Sequence, residues 1–263
     1  MPRIASWKEG DIKNGIMDLN LTSWKYFHDY IRKEMLDYNH YVWRGDRRDD
    51  RPLLPSFDRL YKGKERKFIE GRLSVHLENF KLATRGRRGS SPSRIVEEND
   101  WWALGQHYGL ATPLLDWTRS PFVALFFAFE KDIADQTSHR MVYAITPSSS
   151  EIKSNEIAQK HSGPDRPDIV EYFTPLQDEN SRLVNQNGLF SRCTSGTSLE
   201  SWVAEKFKDY EKGAILIRIK IPNRDREECL RTLNKMNINH LTLYPDLFGA
   251  SNFSNFTDKI SRY

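Results

Sequence analysis

Residues Ala214-Ile-Leu-Ile-Arg-Ile-Lys-Ile221 decide the fold class. Ile215, Ile217, Ile219 and Ile221 fall on one side, while Arg218 and Lys220 fall on the other, the two-residue period of a strand. Further strand candidates lie upstream: Met141-Val-Tyr-Ala-Ile145, Ile169-Val-Glu-Tyr-Phe173 and Gly188-Leu-Phe-Ser191. The first half reads differently. Thr22 or Ser23 can cap a helix in which Trp24, Phe27, Tyr30 and Ile31 recur at helical spacing. His40-Tyr-Val-Trp-Arg44 reads as a strand ending at Gly45. Residues 58–84 read as one long helix striped by Phe68, Leu73, Leu77 and Phe80, and a second helix is expected over 94–107. At Ser120-Pro121 a hydroxyl cap precedes a proline at the first helical position, where no amide hydrogen bond is lost. The helix it opens, Phe122-Val-Ala-Leu-Phe-Phe-Ala-Phe129, is apolar nearly all round and should be buried. A helix over 223–236 follows the last strand. Helices dominate the first half and mixed or antiparallel strands the second, without regular βαβ alternation, so the class is α+β.

The chain has 263 residues, enough for one large domain or two small ones. No internal repeat is found. The polar stretches, 85–94 and the connection 147–167, are too short for an interdomain linker, so one domain over 1–263 is expected. Aromatic residues make up 12%, which supplies core volume where total hydrophobic content is only 38%. No run of about eighteen apolar residues exists, and Met1-Pro-Arg-Ile-Ala-Ser-Trp-Lys-Glu9 carries no signal-peptide stretch. Cys193 and Cys229 are too few for a disulfide framework or a zinc site, so a reducing cytoplasm is expected. The formal net charge of +4 is unevenly spread. Arg85, Arg87, Arg88 and Arg94 crowd a Gly/Ser/Pro segment, a pattern that suits either a nucleic-acid contact or a solvated loop.

Three motifs carry unusual chemistry. In Tyr41-Val-Trp-Arg44-Gly45 an arginine leaves an apolar strand beside a glycine; this suits a bidentate grip on phosphate or carboxylate, or a cross-sheet ion pair. In Gln106-His-Tyr-Gly-Leu-Ala-Thr-Pro-Leu-Leu-Asp116-Trp-Thr-Arg-Ser-Pro121, Asp116 stands in apolar company just before the capped helix, where a carboxylate must find a partner or shift its protonation. Its position places it near that helix's positive end. Thr118 and Ser120 also suit capping. His107 has no second His or Cys at ligand spacing, which argues against a metal. In Asn180-Ser-Arg182-Leu-Val-Asn-Gln186-Asn-Gly188-Leu-Phe190-Ser191, amides placed between apolar pairs can read a ligand or form a turn. No phosphate loop, Gly-x-Gly-x-x-Gly, Gly-x-Ser-x-Gly or His-Glu-x-x-His motif occurs.

These residues resemble the FRG domain family, named for its Phe/Tyr-Arg-Gly motif. The motif here is Trp43-Arg44-Gly45, with Trp replacing the usual Phe or Tyr. The likeness runs from about residue 24 to 250. It passes through Gln106 to Leu110, Leu114 to Thr118, the helix from Ser120 to Ala128, Gln186 to Phe190, and Leu243-Tyr-Pro-Asp-Leu-Phe-Gly249. The layout is more remotely similar to the ADP-ribosyltransferase superfamily. There an Arg-Gly on an early strand holds the phosphates of NAD, a Ser/Thr segment leading into a helix shapes the nicotinamide pocket, and a third strand brings a catalytic Glu. Arg44-Gly45 and Thr118 to Ala128 match the first two; Gln186 or Asn185 stands where the Glu is expected.

This resemblance implies an NAD-consuming transferase, of the toxin or antiphage-effector kind, with a regulatory protein or antitoxin as partner. Arg44, Gly45, His107, Tyr108, Trp117, Thr118 and Ser120 would bind NAD, with Tyr108 or Trp117 stacking on nicotinamide. Asp116 and Gln186 would serve catalysis. The acceptor would be nucleic acid or protein. The rival reading is a non-enzymatic nucleic-acid or nucleotide binder using Arg85, Arg87, Arg88 and Arg94, with Trp101 and Trp102 as stacking platforms. A hydrolase or nuclease is a third reading, weakened by the missing metal-ligand cluster.

Overall fold

The computed structural model describes residues 6–133, 137–175 and 181–263. Eight strands form one sheet: β1 (Trp7–Glu9), β2 (Ile16–Leu21), β3 (Val42–Asp46), β4 (Leu114–Thr118), β5 (His139–Ile145), β6 (Glu171–Phe173), β7 (Gly188–Arg192) and β8 (Leu216–Pro222). Their order is β1-β2-β8-β5-β3-β4-β7-β6. Every pairing is antiparallel except β2 with β8. The class is α+β, and each half of the chain supplies four strands. Among the described residues no helix is long and apolar enough to cross a membrane.

The alternation of β8 sets the two faces. Ile217, Ile219 and Ile221 join Trp43, Val142 and Ala144 in one core, covered by α1 (Lys25–Tyr30), a π-helical turn over Ile31–Met35, α5 (Pro121–Phe129) and α9 (Arg226–Lys235). Leu216 lies on the opposite face with Leu115, Trp117, Met141, Tyr143 and Ile145, under α8 (Leu199–Lys206). A third cluster gathers α2 (Ser56–Leu60), α3 (Arg66–Ala83) and α4 (Glu98–His107) over Leu114 and Phe190. Both cysteines are free and buried, and burial pushes their thiols up, Cys193 to about 12.

Helix α5 is the central element, and its apolar sequence is buried as expected: Val123, Ala124, Leu125, Phe126, Ala128 and Phe129 all lie inside. The Ser120 hydroxyl accepts from the Val123 amide at 3.3 Å, and Pro121 occupies the first turn. Its far end is closed by two arginines. Arg140, fully buried, donates to the Ala128 carbonyl, and Arg226 donates to those of Phe129 and Glu130. Last-turn carbonyls have no partner within a helix, and cations are favoured there. Against β3 the helix packs with no gap. A Cβ on Gly45 would stand 2.0 Å from the Ala124 carbonyl oxygen and 2.6 Å from the Ala128 nitrogen.

Several elements differ from expectation. The helix expected over 58–84 is two, because the chain turns at Gly63, whose φ of +80° interrupts helical geometry. Ile69 joins Leu73 and Leu77 in the buried stripe, whereas Phe68 is exposed. Helix α4 starts at Glu98 rather than 94. The stretch 147–167 holds a helix, α6 (Pro147–Lys160), capped by the Thr146 hydroxyl accepting from Ser149. The remaining helices among the described residues are α7 (Ser181–Asn185), α10 (His240–Leu243) and α11 (Leu247–Lys259).

Two outcomes follow. Gly45→Ala should lower stability by about 1–3 kcal/mol, because rigid backbone on both sides resists overpacking. In a thermal melt this is a fall of roughly 2–12 °C; an unchanged melting temperature would contradict the packing. Burial raises the Asp58 carboxyl on α2 from its ordinary 3.8 to about 6, while one oxygen accepts from the Gly196 amide at 2.9 Å. The native state therefore binds more protons than the unfolded chain between about pH 4 and 6, and stability falls as pH rises through that window. Asp58→Asn keeps the acceptor and should remove this fall, gaining about 2–3 kcal/mol near pH 7 in denaturant titrations.

Candidate functional site

Of the expected site residues, Arg44, Gly45, His107, Asp116, Trp117, Thr118 and Gln186 border one cavity beside β4, whereas Tyr108 and Ser120 do not. Asp116 and Thr118 lie on one face of this strand, where a cavity of about 320 Å³ opens between α5 on one side and the ends of α4 and α7 on the other. Its walls include Arg44, Gly45, Gln106, His107, Phe127, Arg182, Gln186 and Tyr244. β3 and β4 share only the Trp43–Thr118 pair. Where they part, the Arg44 guanidinium takes the place of a ladder partner, donating to the Asp116 carbonyl at 2.8 Å. The same nitrogen lies 3.4 Å from the Asp116 carboxylate. Arg44 Nε is buried with no hydrogen-bond partner.

Asp116 is not in apolar surroundings. Leu115 and Trp117 point to the opposite face, so the Asp116 side chain stands 62% exposed in the cleft. Its Oδ1 accepts from Gln106 Nε2 at 2.6 Å, and the Gln106 side-chain oxygen Oε1 in turn accepts from the Thr112 hydroxyl. Asp116 is the sole carboxylate among the described residues that line the cleft.

Thr118 is buried and donates to the Gln186 main-chain carbonyl at 2.6 Å, tying β4 to the turn that precedes β7. The Gln186 side chain donates to the Leu243 carbonyl at 3.1 Å, and Asn185 to that of Thr242. Asn180 of this motif lies outside the described residues. Ser120 caps α5 and is not part of the lining. Gly45 gives its side-chain space to α5, so the glycine serves helix–sheet packing. Trp117 also borders the cavity, but its indole is buried and donates to Ser191 at 2.8 Å. Tyr108 is 73% exposed and lies outside the cleft, at the end of α4. Trp102 is fully buried with its indole N–H on Glu98, so it offers no stacking platform; Trp101 is half-buried beneath Arg88.

Two cleft residues were not singled out in the sequence. Arg182 sits 5.3 Å over the Tyr244 ring and 5.1 Å over that of Phe248, and pairs with Asp246 at 2.6 Å. Tyr244 is held by His240, whose ring stacks on it and whose burial lowers its pKa to about 4. The motif Leu243-Tyr-Pro-Asp placed Tyr244 and Asp246 within a recognisable pattern, but nothing in the local sequence told which side chain faces a cleft.

Residues 39–137, under half of the chain, match the family model of the FRG domain. This match supports the family resemblance drawn from the motifs, and it contains Arg44, Gln106, His107, Asp116 and Thr118. No curated protein and no solved structure matches the chain.

Because the Asp116–Arg44 pair is half in solvent, its contribution to stability should be small, about 0–1 kcal/mol. Asp116→Asn should move the melting temperature by less than about 4 °C. A larger fall would mean the carboxylate is a structural strut.

Proposed function

We propose that the chain binds NAD in this cleft and transfers its ADP-ribose moiety. The observation that supports this best is the convergence of Arg44, Thr118 and Gln186. They are separated by 74 and 68 positions in the sequence, yet β3, β4 and β7 are successive neighbours in the sheet and all three residues line one cavity. The volume of about 320 Å³ is at the lower end of the roughly 300–1,000 Å³ of small-molecule sites, so the cleft would take the nicotinamide–ribose end of NAD and leave the adenosine end outside it.

Arg44 is the phosphate-binding residue in this reading. It is mostly buried, always charged, and its planar fork suits phosphate oxygens. Thr118 is a positioning residue: its hydroxyl fixes the Gln186 carbonyl and with it the start of β7. Gln186 is neutral, so it can orient a ligand but cannot balance positive charge. That task falls to Asp116, held in the cleft by Gln106. NAD supplies the bond to be broken: nicotinamide leaves ribose C1′ with the bonding electron pair, while a nitrogen or oxygen of the acceptor bonds to C1′ and gives up its proton. A fixed carboxylate beside the positive charge that develops on the ribose lowers that barrier.

Calorimetry with NAD tests the binding step. Arg44→Ala should weaken affinity by about 10- to 150-fold for each phosphate hydrogen bond lost. No heat of NAD binding in the parent protein, or an unchanged affinity in the variant, would overturn the reading. Release of nicotinamide, followed by chromatography, tests the chemistry. Asp116→Asn should reduce the rate by about 100- to 1,000-fold with affinity largely kept. If the rate survives, another group balances the charge.

A further inference from the structure

A second cavity, of about 910 Å³, lies between the C-terminal end of α3 and α4, under the segment 85–94. Phe80, Leu104 and Tyr108 give it apolar walls, and Arg87 and Arg88 border it. Arg85, Arg87 and Arg94 are exposed, and Arg88 lies 5.4 Å over the Trp101 ring. Acidic groups are near but at the other end of α4: Glu97, Glu98 and Asp100 sit at its first turn, and Glu98 is paired with Arg192 at 2.8 Å.

Tyr108 connects this groove to the cleft. It lines the groove, and its ring packs edge-on against His107 at 4.7 Å, while His107 lines the cleft. The ring is presented on a fixed backbone. The amides of Tyr108 and Leu110 donate to the Gly105 carbonyl, that of Gly109 to Gln106, and Gly109 takes a φ of +88° that closes the turn. The ring is 73% exposed, so its face is open to a stacking partner.

We propose that this groove is a track for single-stranded nucleic acid and leads a base past Tyr108 to the rim of the cleft at His107. A row of arginines beside an exposed aromatic is the arrangement that neutralises phosphates while a base stacks on the ring. A duplex does not fit this arrangement, because its bases are already stacked on one another and must be unstacked to reach the ring or the cleft. The use of the strand as acceptor rests on the NAD reading; its binding along the track does not.

The test is fluorescence anisotropy of the full chain with labelled oligouridine and oligothymidine of about 12 nucleotides, and with a duplex of that length, from about 20 mM to about 200 mM salt. Single strands should bind, with an affinity that falls by about 0.7 log units per log unit of salt for each phosphate contact. The combined variant Arg85→Gln, Arg87→Gln, Arg88→Gln and Arg94→Gln should flatten that slope. Tyr108→Ala should weaken binding by about 10-fold or more at unchanged slope. Melting curves check that these surface variants stay folded. Photocrosslinking from 4-thiouridine should map to Tyr108 or His107. No single-strand binding at the lowest salt, a slope untouched by the arginine changes, crosslinks elsewhere, or equal binding of the duplex would overturn the track. Transfer to protein but not to the oligonucleotide would overturn its role as acceptor while the NAD reading stands. Oligonucleotide binding without NAD binding would sink the NAD reading and leave the track in place.

Discussion

The close seat of α5 on β3 is the constraint on which the site depends. With Ala124 and Ala128 filling the space in front of Gly45, helix and strand meet backbone to backbone. Arg44 is thereby fixed beside β4, and Thr118 is fixed at the mouth of the helix. At the far end of α5 the buried Arg140 and the half-buried Arg226 satisfy last-turn carbonyls. An apolar helix can therefore run through the centre of the molecule with both ends closed.

From that seat the cleft is built by what the neighbouring strands lack. β3 and β4 pair at a single position, and the guanidinium of Arg44 satisfies the carbonyl that a longer ladder would have used. A cation is drawn into the sheet by a hydrogen bond, with the carboxylate of the same residue beside it. Gln106 and Thr112 hold that carboxylate from α4 and the loop after it. Arg182, Tyr244 and Asp246 close the other side through ring stacking and an ion pair. The cleft is thus charged, partly wet and supported by neutral amides.

Much of this was legible in the residues, and the reasons differ from element to element. The Ser120-Pro121 cap and the unbroken apolar run behind it named α5, because a helix with no polar face has only one place to go. The alternation of Ile217, Ile219 and Ile221 named β8, whereas Ile215, just before the strand, packs with Leu216 on the other face rather than with them. Thr146-Pro147 carries the same capping signal, yet α6 was hidden because Ser148, Ser149 and Ser150 supply no apolar period. β1 was hidden because a three-residue strand at the sheet edge has too few residues to display alternation, and β2, paired on both sides, alternates only from Asp18 to Leu21, after the adjacent apolar pair Ile16-Met17. The burial of Asp116 was misread because Leu115 and Trp117 are its neighbours in sequence, whereas in a strand they occupy the other face. Tyr244 and Arg182 could not be assigned to the cleft at all, since they reach it from an α7–α10 contact that no local pattern encodes.

The central claim is that three segments far apart in sequence form one ligand site. Hydrogen–deuterium exchange with and without saturating NAD measures this directly. Slowed exchange is predicted together at residues 42–46, 114–118 and 182–190, with little change at 85–94. Slowing in one of these segments alone, or in none, would contradict a shared site.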